Sequence, residues 1–242
     1  EARRARGAPG TPQALERAVN DPERIVRAAD WYFDFVSPFA YLQSERLATL
    51  APVLRVRYRP VLFAALLDAH GQKGPAEIPA KRAFTYRHVV WLAKRAGIPL
   101  KFPHEHPFNP LPLLRLAIAC DGAPDAVHRI FRFVWRDGRL PDLPIEWHEL
   151  THDLGLPDAD ARIATAEVKD ALRRNTEEAL ARGVFGVPTL ALGDALFWGA
   201  DATEMARDYA AAGGRFDDPE YERVSALPEG ARRTAATAAK GR

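Results

Sequence analysis

Apolar positions along the chain switch between two periods. Trp31-Tyr32-Phe33-Asp34-Phe35-Val36 is an almost unbroken aromatic and β-branched run, with Pro38 just beyond it, the pattern of a buried strand. Ser37-Pro38 then reads as a helix start, because Ser is a good N-cap and Pro suits the first helical position. Ala40, Tyr41, Leu42, Leu47, Ala48 and Leu50 recur at helical spacing up to Pro52. Residues 54–60 alternate and predict a second strand. A β-α-β unit of this kind favours a parallel pair with a right-handed crossover. From Val61 to about Arg182 the pattern is helical, with stretches at 80–97, 110–121, 124–137, 145–153, 158–163 and 166–182, several separated by proline-rich connectors. Residues 187–192 predict a strand, Gly193-Asp194 a tight turn and residues 195–198 the returning strand. Gly199-Ala200-Asp201 leads into a last helix through about Ala212, which Gly213-Gly214 stops.

The order is therefore β-α-β, a long helical block, then β-β-α. It predicts an α/β chain with a thioredoxin-like four-stranded sheet and a large inserted α-helical domain. The sheet domain takes residues 29–62 and 183–215, and the insertion takes 63–182. Residues 1–28 are an N-terminal extension broken by Gly7, Pro9, Gly10 and Pro12, with a short helix starting at Thr11. Residues 216–242 form a C-terminal tail, rich in Ala, Gly, Arg and Thr from about Leu227.

Composition narrows the class. The 242 residues suffice for a sizeable core. A net charge of +2 gives no general argument for a nucleic-acid partner. The basic excess gathers at the ends, in Arg3, Arg4 and Arg6 and in Arg232, Arg233, Lys240 and Arg242. No apolar run reaches a membrane span, and no h-region follows the Arg-rich beginning, so no membrane partner and no secretory signal are expected. One cysteine, Cys120, permits no intrachain disulfide, which suits the cytoplasm.

Three segments carry candidate chemistry. Ser37 stands where a buried strand meets a helix N-terminus, and free N–H groups there favour an anion, including a thiolate. It reads equally as a plain N-cap. Ser37-Pro38-Phe39-Ala40 contains no sulfur, so dithiol chemistry is excluded at this motif. Val187-Pro188, directly before a strand, reads as a cis peptide whose preceding residue offers its backbone to a peptide-like ligand. An ordinary trans proline at a strand start is the alternative. Asp201 in Phe197-Trp198-Gly199-Ala200-Asp201 is either a first-turn acid or a carboxylate for an ammonium group. Lys81, Arg82, Arg87 and His88 share a predicted helix, as a solvated face or as groups reaching an anionic substrate. Asn109 reads as a turn residue. His104, His106 and His148 lack metal-ligand spacing, so no metal is expected. There is neither a dinucleotide fingerprint nor a P-loop.

Residues 32–42, Gly74-Pro75-Ala76 with Pro79-Ala80-Lys81-Arg82, Gly97-Ile98-Pro99-Leu100, and 184–189 with 197–201 together resemble the 2-hydroxychromene-2-carboxylate isomerases. These are relatives of kappa-class glutathione transferases and of DsbA, and the resemblance covers about residues 30–212. It implies a glutathione-dependent isomerase, a homodimer, acting on a small aromatic substrate of aromatic catabolism. It also implies catalytic Ser37, and a glutathione site of Ser37, Pro38, Phe39, Val187, Pro188, Trp198, Asp201 and Ala202. Lys81, Tyr86 and Asn109 fall on the substrate side. The resemblance leaves open a kappa-like transferase or a non-catalytic thioredoxin-like binding module. Two positions depart from the family: Ala202 stands where many members carry Arg, and Glu77 near where an Asn is often found.

Overall fold

In the computed structural model, which describes residues 26–230, four strands make one mixed sheet in the order β2-β1-β3-β4. β1 (Arg27–Phe33) and β2 (Leu54–Pro60) run parallel, with Phe33 opposite Pro60. β3 (Thr189–Leu192) lies antiparallel to β1, with Tyr32 opposite Thr189, and β4 (Ala195–Trp198) returns along β3. This is the thioredoxin-like sheet that the element order predicts. β1 is central, and residues 29–33 are all buried, which explains why its sequence is continuous rather than alternating.

Several boundaries differ from expectation, among them the start of β3 at Thr189 rather than Val187. β1 starts at Arg27, where Leu54 pairs with it, and ends at Phe33 rather than Val36. Beyond Phe33 the carboxylate of Asp34 takes the N–H groups of Val36 and Phe63, so residues 34–36 turn a corner instead of extending the ladder. Helix α1 (Pro38–Ser44) is also shorter than predicted, and a 3-10 turn (Leu47–Leu50) completes the crossover.

Helices α2 (Phe63–Ala69), α3 (Pro79–Ala96), α4 (Leu111–Ala119), α5 (Pro124–Trp135), α6 (Pro144–Asp153), α7 (Ala159–Ala164) and α8 (Ala166–Ala181) separate β2 from β3. Several of the connector prolines turn out to stand in first helical turns, as Pro79, Pro124 and Pro144 do, where a missing N–H costs nothing. This block shares a core with the sheet. Phe131 of α5 lies 5.5 Å from Phe33 and 4.6 Å from Phe35, ring centre to ring centre, and Trp31 stacks on Phe33 at 4.5 Å. Each such fully buried aromatic contributes about 1.5–3 kcal/mol by removal of apolar surface from water. After β4, a 3-10 turn (Ala200–Ala202) precedes α9 (Thr203–Ala211). A further helix, α10 (Pro219–Ser225), lies where only a tail was expected, and Phe216 beside it stacks on Tyr221 and meets Tyr209 at a tilt. The short helix expected from Thr11 falls outside the described residues.

Asp30, buried in β1, ties the back of the sheet together. It accepts from Arg57 and Arg59 of β2 and from Arg182 after α8, and Arg182 reaches on to Tyr32 Oη and Gly193 O. Burial alone would raise the Asp30 pKa, but the bonds from Arg182, Arg59 and Arg57 outweigh it and hold the carboxyl below its ordinary value. Its contribution to stability is therefore present above the unfolded value of ~3.9 and is lost as pH falls below it. Asp30→Asn is expected to cost about 2 kcal/mol at pH 7. That is less than the roughly 3–5 kcal/mol for a fully enclosed pair, because Arg57 is half exposed. Urea unfolding at pH 7 and at pH 3 checks this: the gap between variant and wild type should narrow at the lower pH.

Candidate functional site

The strand-to-helix corner at residues 34–37 has its polar groups held one by one. Ser37 N donates to Asp34 O at 3.1 Å. Trp135 Nε1 of α5 donates to Phe35 O at 2.8 Å. His106 Nε2 donates to Val36 O at 2.8 Å. Asp34 Oδ1 accepts from Val36 N at 3.0 Å and Oδ2 from Phe63 N at 2.9 Å. Ser37 is the N-cap of α1, and its Oγ accepts from Ala40 N at 3.2 Å. A hydroxyl used in this way as an acceptor keeps its own proton for another partner.

On the facing side, the Val187–Pro188 peptide is cis, as its place before β3 leads one to expect. Pro188 O accepts from Gly199 N at 2.8 Å, while the N–H and C=O of Val187 have no partner among the described residues. Gln43 of α1 joins the two sides. It accepts from Trp31 Nε1 at 2.7 Å and donates to Gly199 O and to Thr203 Oγ1. The turn carrying Asp201 is thereby tied to the helix that Ser37 caps.

Ser37, Pro38, Phe39, Lys81, Tyr86, Val187 and Trp198 line one cleft of about 520 Å³. Pro188, Asp201, Ala202 and Asn109 do not line it. Asp201 is exposed in the 3-10 turn beside Gly199. Asn109 Oδ1 accepts from Leu111 N at 3.1 Å, the turn role that its proline neighbours suggest. Phe63, Phe108 and Phe185 add apolar wall, and Gln72 and Lys73 add polar groups. Trp198 lies so close over Gly186 that a β-carbon there would stand 2.5 Å from its Nε1, which explains a glycine at that position. Glu77 Oε1 accepts from Gly74 N at 2.5 Å, so its carboxylate is spent on the loop backbone.

Among the cleft residues that the sequence pattern does not single out are Asp34 and His106. A lone acid inside an apolar run is a usable signal for Asp34, whereas His106 lacks metal-ligand spacing and has no local signal of its own. Its Nδ1 lies 2.6 Å from Tyr86 Oη, which also approaches His106 O at 2.8 Å, contacts that no local pattern announces. Burial lowers the His106 pKa, its bond to Val36 O opposes this, and Arg82 adds to the lowering. A second cleft of about 480 Å³ lies between α5 and α6, lined by Arg129, Arg132, Arg136, His148 and His152. Arg132 and Arg136 there are paired with Glu45 and Asp137, and it contains no residue of the corner.

Comparison with known proteins agrees with this geometry. A family model described as a DSBA-like thioredoxin domain matches residues 28–211. The chain is 33% identical over 184 residues to a 2-hydroxychromene-2-carboxylate isomerase of Pseudomonas putida, covering 73% of this chain and 90% of that one. It is 26% identical over 184 residues to glutathione S-transferase kappa 2 of Caenorhabditis elegans, covering 69% and 82%. The solved structure of a 2-hydroxychromene-2-carboxylate isomerase superposes with a TM-score of 0.68 at 27% identity, covering 82% of this chain and all of that one.

Burial pushes the Asp34 carboxyl up to about 7, against the two backbone N–H bonds that favour its ionised form. A folded-state value above the unfolded ~3.9 means that stability from this group is fully present below ~3.9 and declines as pH rises toward 7. Infrared spectroscopy at pH 6 is expected to show a protonated carboxyl stretch in the wild type that disappears in Asp34→Asn.

Proposed function

The chain belongs to the DSBA-like thioredoxin-domain family, in the group of the 2-hydroxychromene-2-carboxylate isomerases, and from that premise we propose that it is a glutathione-dependent isomerase of that compound or a similar intermediate of aromatic catabolism. The observation that carries the reading is the pairing, across one cleft, of a sulfur-free helix start at Ser37 with the unpaired backbone of Val187.

Those groups fit glutathione. The Val187 N–H and C=O are free to pair with the backbone of a peptide, as a short strand would. Ser37 donates its remaining proton toward a thiol sulfur, and the N–H of Phe39, in the first turn of α1, has no carbonyl below it in the helix. Lowering a thiol pKa by one to two units takes only ~1.4–2.8 kcal/mol, within reach of a charge-assisted hydrogen bond. Asp201, exposed outside the cleft lining, takes the γ-glutamyl ammonium where the ligand extends past Trp198, and Ala202, lacking the arginine common in relatives, leaves that end with one contact fewer. Glutathione, when bound, supplies a thiolate that adds reversibly to a conjugated carbon, so that a former double bond can rotate.

The chain's own residues then orient the substrate. Phe39, Phe63, Phe108 and Phe185 exclude water from an aromatic ring, and Lys73 and Lys81 offer cations to a carboxylate. The same reading makes the protein a cytoplasmic homodimer. Similarity to a kappa-class transferase keeps a second reading in view, in which the same thiolate stays bonded to an electrophile.

Ser37→Ala is expected to lower kcat/KM by about 10²-fold, the scale of losing one oriented donor. It should also return the bound thiol toward ~8.5, followed by thiolate absorbance during titration. Wild-type turnover of the chromene carboxylate without glutathione would overturn the cofactor assignment. Formation of a stable conjugate with an electrophile panel, and no isomerisation, would favour the transferase.

A further inference from the structure

The Tyr86–His106 contacts leave room for one proton. Val36 O only accepts, so the 2.8 Å approach of His106 Nε2 places a proton on that nitrogen. In the neutral ring Nδ1 is then bare, and Tyr86 donates to it at 2.6 Å. Tyr86 Oη also stands 2.8 Å from His106 O, which again only accepts. Three close contacts are thus served by two protons. When the ring is protonated, Nδ1–H donates to Tyr86 Oη, Tyr86 donates to His106 O, and each contact carries a proton. The hydroxyl has one acceptor for each state of the imidazole, and both residues line the cleft that Ser37 lines.

We propose that Tyr86 and His106 form a proton relay of this cleft, in which Tyr86 meets the substrate and His106 holds the proton behind it. The assignment rests on the isomerase reading. Carbon 2 of a 2-hydroxychromene-2-carboxylate bears both a hydroxyl and the ring oxygen, so ring opening must move a proton from one oxygen to the other. The hydroxyl proton passes to Tyr86 Oη while the Tyr86 proton passes to His106 Nδ1. The hydroxyl oxygen forms the new C=O, and the bond from carbon 2 to the ring oxygen breaks with its electron pair on that oxygen. His106 then returns its Nδ1 proton to Tyr86, whose own proton goes to the phenolate. No proton is gained or lost overall.

The surroundings keep the imidazole neutral and ready to accept. Burial lowers its pKa, and Arg82 from the same helix as Tyr86 adds to this. Phe102, Phe108 and Trp135 present rings to it. The other ionisable groups on the cleft wall are Lys73, Glu77, Lys81 and Asp34.

Two measurements test the relay. Nitrogen-15 NMR of histidine-labelled protein without ligand should show His106 as the Nε2–H tautomer above pH 7, titrating below 6.5. An Nδ1–H tautomer there overturns the proposal. Turnover of the chromene carboxylate with saturating glutathione, read as kcat, is the second measurement. Tyr86→Phe should lower kcat about a hundredfold with little change in glutathione affinity. His106→Gln should lower kcat similarly, and the double variant should be no worse than either single one. Values of kcat within about twofold of an active wild type in both single variants, or a double variant at least about tenfold worse than either single one, overturn the relay alone. A wild type without turnover overturns the isomerase reading and the relay with it.

Discussion

Asp34 sits where the chain must leave the sheet and start a helix without water to satisfy its backbone. Its carboxylate accepts one N–H from its own corner and one from Phe63, after β2. That pairing closes the parallel unit at its C-terminal end and sets the end of β1, the start of α1 and the entry to α2 against one another. An isolated ionised carboxylate in such a place would be far more costly than the two bonds repay, and burial accordingly draws its pKa up to about 7. The corner thus has a carboxyl whose charge is finely balanced. The hydroxyl of Ser37, three residues on, caps the helix with its lone pair and has its proton to spare.

The rest of the cleft follows from how that corner is braced. Trp135 and His106, both from the helical block, supply the donors that Phe35 O and Val36 O need. The insertion is therefore a structural partner of the Ser37 corner as well as one wall of the cleft. On the other side Gln43, fully buried, couples α1 to the turn after β4. A side chain that satisfies three separate groups is costly to replace, since each orphaned buried partner costs about 1–3 kcal/mol. Polar bonds orient the functional groups, and the shared aromatic core supplies the stability that lets those groups stay fixed.

Much of the fold was legible in the chain alone. A continuous apolar run, an Ser-Pro helix start, an alternating strand and a two-residue hairpin turn each express a local preference, and their order admits few topologies. The sheet came out as read. The boundaries did not, because β1 ends where a side chain outcompetes the ladder for backbone N–H groups. That competition depends on Phe63, which lies outside any local window. α10 was missed because its stabilising contacts, Phe216 with Tyr209 and Tyr221, lie largely outside its own seven residues.

For the site, the sequence by itself determined which residue types stand at the two chain crossings. Ser37 before Pro38 excludes a dithiol, and Val187-Pro188 before a strand points to the cis bond that the structure has. Both are local backbone statements, and local chemistry suffices for them. Only the tertiary structure decided what surrounds these groups. It set Asn109 to hold a turn, kept Glu77 on its loop, and joined Tyr86 to His106 across 20 residues. Proton positions and pKa shifts arise from burial and from partners distant in sequence, so a pattern of residue types could name the cleft but not its proton chemistry.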